Sequence, residues 1–152
     1  LIDGAIKSKE SRGLMLEEEN DHIYLKTSQP VLFSSGSIRL GSDDRSVVDS
    51  LASLLKANPN LEVIVEGHTD NTKVVSGAAY RDNWDLSFRR ADAVVRRLMK
   101  AGVEPGQLAA AARGEYVPKM DDQKSADAKA ANRRVVFRIA PKMGDLFEAA
   151  GN

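Results

Sequence analysis

The chain has no cysteine, which excludes disulfides, thiolate zinc sites and cysteine nucleophiles, yet leaves both a reducing cytosol and an oxidising periplasm open as compartments. Imidazole is nearly as scarce, with only His22 and His68 to supply it. Charge of one sign is missing too. Lys plus Arg (22) balances Asp plus Glu (22), so no long-range field favours nucleic acid or an anionic membrane surface. No apolar run approaches the roughly eighteen residues of a membrane span, and no signal peptide is visible. The chain opens on Leu1, and we expect a fragment whose targeting segment lies upstream.

What is present suits one core: 152 residues with apolar positions spread evenly along them. Leu1, Ile2, Ala5 and Ile6 follow the spacing of a helix end, stopped by Gly13. "LMLEEE" and "HIYLKT" flank Asn20-Asp21, a pair that tolerates the positive φ of a tight hairpin, and are read as antiparallel strands. "PVLFSSGSIRL" looks like a strand end passing into a loop. From Asp43 to Ala57, Val47, Val48, Leu51, Leu54 and Leu55 keep helical spacing, with Ser42 or Asp43 as the expected N-cap. Asn58-Pro59-Asn60 ends that helix, and Leu61 to Gly67 alternates as a buried strand.

A second helix is predicted from Asn83, with Leu86, Ala91, Val94, Val95 and Leu98 on its apolar side and Gly102 capping it. "QLAAAARGE" is short and bounded by glycines, and is assigned as a strand. Residues 119 to 131 read as a loop with a helical turn, "RRVVFRIA" as a strand, and Met143, Leu146 and Phe147 as a docking turn of the tail. The expected fold class is α+β: a mixed sheet with two main helices packed on one face, preceded by a β-hairpin. Residues 1–12 would end an upstream helix or linker. Residues 13–152 would form one domain, with the hairpin at 13–28, a core at 30–140 and a tail at 141–152.

Three groups of residues could carry chemistry. The first is "VEGHTDN", where His68 and Asp70 stand two apart at a strand end. A zinc or iron site needs at least three protein ligands, and no second histidine-containing cluster exists. Asp43-Asp44 and Asp121-Asp122 lack the dense spacing of a calcium loop. His68 is therefore expected to be a packed, hydrogen-bonded residue closing the strand. Asp70 either caps the following loop through Asx-type bonds or stays free to hold a cation, and the two readings stand equal.

The second group opens the helix at Asn83, where Asn83, Ser87 and Arg90 share one stripe. Arg90 lies about 10 Å along the axis, but helical side chains lean toward the N-terminus, so its guanidinium can reach the cleft where Asp70 emerges. An aspartate and an arginine facing one gap suggest a zwitterionic ligand. The bland alternative is that Asp70 and Arg90 simply pair with each other. The third group is Asn132-Arg133-Arg134, where strand geometry would send the two arginines to opposite faces. The ordinary reading is solvated edge charge.

Together, "PVLFSSGSIRL", "NLEVIVEGHTDN", "NWDLSFRRADAVVRRLMKAGV", "ARGEYVP" and "NRRVVFRI" resemble, in order and from about Pro30 to Ile139, the OmpA-like peptidoglycan-binding domain of OmpA C-termini, the Pal lipoprotein and MotB. The long segment between "HTDN" and "NWDLS" and the "PKMGDLF" tail look most like OmpA-family envelope proteins with an upstream coiled coil. The resemblance implies noncovalent binding of the peptidoglycan stem peptide at meso-diaminopimelate, tethering a periplasmic, envelope-associated protein to the wall. It implies no enzyme activity and no cofactor or metal. Membrane contact would come only through a missing N-terminal segment, and a homodimer is compatible with it.

By motif alignment the ligand aspartate falls on Asp70 and the ligand arginine on Arg90. Arg133 matches the arginine of the "NRR" motif. Asn83, Leu86 and Thr69 match the same pocket, as do Phe33 and Ser34. Many members carry Asp after that phenylalanine, so Ser34 implies weaker binding. Two other functions are carried forward: the wall anchor of a MotB-like stator, and a metal-dependent murein hydrolase using His68 and Asp70.

Overall fold

The computed structural model describes residues 15–140. The helix end expected at Leu1 to Lys7, the stop at Gly13, the domain limit at 12/13 and the docking turn at Met143, Leu146 and Phe147 lie outside them. Two strands, β1 (Leu16–Glu19) and β2 (His22–Leu25), form the expected hairpin. Asn20 and Asp21 take φ of 51° and 64° at its turn, the left-handed region that these residues enter most cheaply. Strand β3 (Val31–Leu32) follows, then helix α1 (Ser42–Ala57), strand β4 (Val63–Gly67) and helix α2 (Asn83–Lys100). A 3-10 turn, β5 (Leu108–Ala112), a short helix α3 (Ala126–Asn132) and β6 (Arg134–Ile139) complete the described chain.

The strands form one mixed sheet in the order β1-β2-β6-β4-β5, with β3 also pairing β6. β4 and β5 are parallel and joined through α2; the other pairs are antiparallel. Alternation decides the faces. Val63, Val65, Val135 and Phe137 bury against Val48, Leu51 and Leu55 of α1 and Ala91, Val94 and Leu98 of α2, while Ile64, Glu66 and Arg138 point to the other side. The expected α+β architecture, with the helices packed on a mixed sheet, is what forms. The alanine-rich segment is a strand because β4 offers it a five-residue parallel register, Val63↔Leu108 through Gly67↔Ala112.

Three boundaries differ from expectation. Neither Ser42 nor Asp43 caps α1: Gly41 is the N-cap and makes no side-chain bond. The helix simply begins one residue earlier, leaving Asp43 and Asp44 in the first turn against the positive end of the dipole. Leu61 sits in a turn, donating to Asn58 O at 3.0 Å, because the buried Gln107 amide reaches the carbonyls of Leu55, Asn58 and Leu61 and holds this connection bent. Arg133 caps α3, so β6 starts at Arg134.

Helix α2 is fixed at both ends. Asp82 Oδ1 accepts from Asp85 N at 2.9 Å. At the other end Gly102, at φ +101°, allows Gly102 N to reach Met99 O and Val103 N to reach Leu98 O, a Schellman closure. Gly67 sets how closely the helix lies on β4, since a Cβ there would stand 1.8 Å from Ser87 O. That contact brings the first turns of α2 onto the carboxyl end of β4. Among the described residues no helix is long and apolar enough to cross a membrane.

Candidate functional site

Asp70 emerges where β4 ends, 5% exposed. It does both things left open for it. Oδ1 accepts from Thr72 N at 2.9 Å, an Asx turn that closes the loop, and Oδ2 holds a cation. The cation is Arg133, whose NH1 lies 2.9 Å away. The direct Asp70–Arg90 pair weighed above does not form. Arg133 reaches the site because it stands in the bend between α3 and β6, with Nε donating to Phe33 O at 2.9 Å, so it is not a solvated edge charge. Nor is Arg134, which is buried and donates to Val117 O and Asn132 O. Asn132 supports the bend by exchanging two hydrogen bonds with the backbone of Met120.

Arg90 crosses from α2 to the same end of the sheet with no exposed surface. Nε donates to Ser37 O at 2.9 Å, NH1 to His68 O at 3.0 Å and NH2 to Ser34 O at 3.1 Å. Its guanidinium carbon lies 5.1 Å from the centre of the Phe33 ring, within cation–π range. Burial lowers the Arg90 pKa to about 10, the Asp70 charge opposing and Arg133 reinforcing the shift. Arg90 therefore stays charged at neutral pH. Asp70, Arg133 and Arg90 form one group, with Arg90 felt through its field rather than by contact with the carboxylate.

The remaining predicted residues divide by role. Thr69 is buried; its Oγ1 donates to Asp70 O at 2.8 Å and its N to Gly114 O at 2.9 Å. Asn83 Nδ2 donates to Thr72 O at 3.0 Å and Asp70 O at 3.4 Å, while its Oδ1 is buried without a partner. Leu86 is buried apolar support, 4% exposed. Phe33 supplies a ring beneath Arg90 and a carbonyl to Arg133. Ser34 is exposed and takes part through its carbonyl.

Ser37 and Asn71 were not anticipated. Ser37 acts through a backbone oxygen, which no side-chain pattern announces. Asn71 Oδ1 is a second buried acceptor without a partner, and its place beside Asp70 in "HTDN" was the signal available.

His68 is packed, 2% exposed, and hydrogen-bonded through its backbone, N donating to Arg134 O at 2.9 Å and O accepting from Arg90, but neither ring nitrogen has a partner, and Nε2 stands 3.8 Å from Glu66 Oε1. Burial pushes its pKa below the ordinary value, against an opposing pull from Glu66. The charged group its ring faces is Glu66, two residues back along the chain. Among the described residues no three of His, Cys, Asp and Glu come together as metal ligands. What the geometry assembles is one buried carboxylate and two guanidinium groups at one end of the sheet.

The OmpA family profile matches residues 32–133. The chain belongs to the OmpA family. This OmpA-family domain is 31% identical over 134 residues to the peptidoglycan-associated lipoprotein of Pasteurella multocida, covering 88% of this chain and 85% of that protein. It is 27% identical over 143 residues to motility protein B of Bacillus subtilis, covering 93% of this chain and 54% of the relative. The crystal structure of the periplasmic domain of Helicobacter pylori MotB superposes with a TM-score of 0.74 at 25% identity, covering 90% of this chain and 94% of that one. The domain spans about half the length of the first curated relatives it matches.

Proposed function

We propose that this OmpA-family domain binds peptidoglycan noncovalently through the meso-diaminopimelate of its stem peptide, anchoring an envelope protein to the wall without catalysis. The relatives place it in the periplasmic cell envelope. One observation carries the ligand chemistry: a buried carboxylate, Asp70, stands beside two acceptors without partners, Asn83 Oδ1 and Asn71 Oδ1, and two guanidinium groups.

An ammonium needs several acceptors around one negative charge, and Asp70 with the amide oxygens of its neighbours Asn71 and Asn83 would supply them once the ammonium displaces Arg133 from the carboxylate. The ligand carboxylate then takes the guanidinium side. Arg133, with 17% of its side chain exposed, is at the rim, and Arg90 lies beneath under the turn 34–37 that its hydrogen bonds hold down. Contact with Arg90 requires that turn to yield. Lysine at the same stem position offers the ammonium but lacks the terminal carboxylate, so the arginines would discriminate between the two wall chemistries. The carbonyl that Ser34 uses is independent of its side chain, which supports retention of that corner without the usual aspartate.

The test is co-sedimentation with purified diaminopimelate-type sacculi. Asp70→Ala should lose about 2–5 kcal/mol, roughly thirty- to several-thousand-fold in affinity, and lysine-type sacculi should bind poorly. Pelleting of a folded Asp70→Ala variant at the level of the unsubstituted chain would refute the assignment.

A second reading, the wall anchor of a stator-type motility protein, uses the same pocket. The motility protein B relatives and the H. pylori MotB structure support it equally. The sequence upstream separates the two: a membrane span with an acidic residue favours the stator, a lipobox or coiled coil the passive tether.

A further inference from the structure

Aromatic residues are few, one Trp, three Tyr and four Phe, and three of them are exposed on one patch. Trp84 is 49%, Phe88 44% and Tyr116 63% exposed. Trp84 and Phe88 are neighbours on α2 by their i, i+4 spacing, and the Tyr116 ring is next to the indole, centroids 5.2 Å apart and planes tilted by 31°. Gly114 makes room for both rings: at φ +57°, its absent Cβ would stand 3.2 Å from Tyr116 and 3.5 Å from Trp84.

Gly114 also ties this patch to the ligand pocket. Its carbonyl accepts from Thr69 N at 2.9 Å, next to Asp70, and its N donates to Ser87 Oγ at 3.0 Å. Arg133 precedes β6, Asp70 follows β4 and Gly114 follows β5, so all three stand at one end of three adjacent strands. Two strand spacings put the Arg133 edge and the aromatic edge about 10 Å apart. In a stem peptide, two residues and a lactyl link separate diaminopimelate from the muramic acid ring, an extended reach of about 10 Å.

We propose that Trp84 and Tyr116 form a platform on which a sugar ring of the glycan strand stacks while the same muropeptide's diaminopimelate occupies the Asp70 pocket. The inference rests on the stem-peptide reading above. The axial C–H bonds of a pyranose complement the negative face of an aromatic ring, and the exposed Arg81 and Arg89, whose Nε atoms face Asp85, carry terminal nitrogens that can donate to hydroxyl and acetamido oxygens. A second protein would need a buried face of about 800 Å² per partner; three rings bordered by charge fit a sugar better.

Trp84 is the only tryptophan, so its fluorescence reports on the platform directly. Calorimetry and indole emission should be followed with the N-acetylglucosaminyl-N-acetylmuramyl tripeptide, with the free tripeptide, and with the disaccharide alone at millimolar concentration. The disaccharide-tripeptide should bind roughly three- to tenfold more tightly than the tripeptide, the worth of one aromatic contact. It should also shift the indole emission, which the tripeptide leaves unmoved. Trp84→Ala should erase the difference and keep the tripeptide affinity, and Trp84→Phe should restore part of it.

Equal affinity for both ligands, unmoved emission on binding of the disaccharide-tripeptide, or a Trp84→Ala variant weakened equally toward both would overturn the platform. Emission that shifts with protein concentration alone would assign the patch to self-association instead. If the tripeptide does not bind at all, the stem-peptide reading fails. The disaccharide then decides the platform by itself, an emission shift supporting it and none overturning it.

Discussion

Glu66 and Asp70 are two nearly buried acids four residues apart, and each is paired with an arginine from the β6 side: Glu66 with Arg138 at 2.8 Å, Asp70 with Arg133 at 2.9 Å. The pairs look alike in burial and distance, but their surroundings differ. Glu66 lies inside the regular β4–β6 ladder, where the register places Arg138 diagonally across from it and the Tyr24 and His22 side of the hairpin adjoins it. Burial works against its ionisation, and His68 and Arg138 together outweigh burial, leaving its pKa below the ordinary carboxylate value. Asp70 lies past the last ladder pair, among loop carbonyls, unpartnered amide oxygens and a second guanidinium. On the proposed function, identical chemistry is locked in one place and exchangeable in the other, because a ladder fixes both partners' backbones whereas a loop end leaves other partners within reach.

Arg138→Ala is the most severe way to sharpen this contrast. It leaves Glu66 buried beside a neutral imidazole and should cost about 3 kcal/mol in urea unfolding, while binding to sacculi survives in the folded fraction. Arg133→Ala should be milder, about 1–2 kcal/mol, since Asp70 keeps the Thr72 N–H and the field of Arg90. Binding, however, should fall at least tenfold. If the two substitutions have the same profile, the distinction between locked and exchangeable pairs is wrong.

The smallest effect is a pH slope. The folded pKa of His68 is below its ordinary 6.5, so its stabilising neutral form is fully present above that value and is lost as pH falls toward the folded pKa. Unfolding free energy should therefore decline between pH 7.5 and 5.5, and His68→Asn should flatten the decline. A slope that persists unchanged in that variant would move the titration elsewhere.

Much of the fold was legible. Helical spacing in α1 and α2, the Asn20-Asp21 turn and the alternation of β4 and β6 each follow from local chemistry that does not wait for tertiary contacts. The misplacements are of another kind. Gly41 replaces Ser42 as cap by a shift of one residue, whereas Leu61 leaves the strand and Arg133 leaves β6 because long-range partners such as Gln107 and Phe33 decide where an element stops. At the site, the residues that the sequence singled out lie together at one end of the sheet, but their pairings were not legible. Asp70 was expected to face Arg90, twenty residues on, and it is bonded to Arg133, sixty-three residues on.

The sequence by itself determined which residues carry charge, which faces are apolar and where the chain can turn, because these depend on side-chain type and on periods of two and 3.6 residues. Only the tertiary structure decided which guanidinium meets which carboxylate, that three backbone carbonyls surround Arg90, and that Gly67 lets α2 settle on the end of β4. Those outcomes depend on how strands far apart in sequence align. Backbone oxygens, which every residue carries, leave no mark in the sequence when they become ligands.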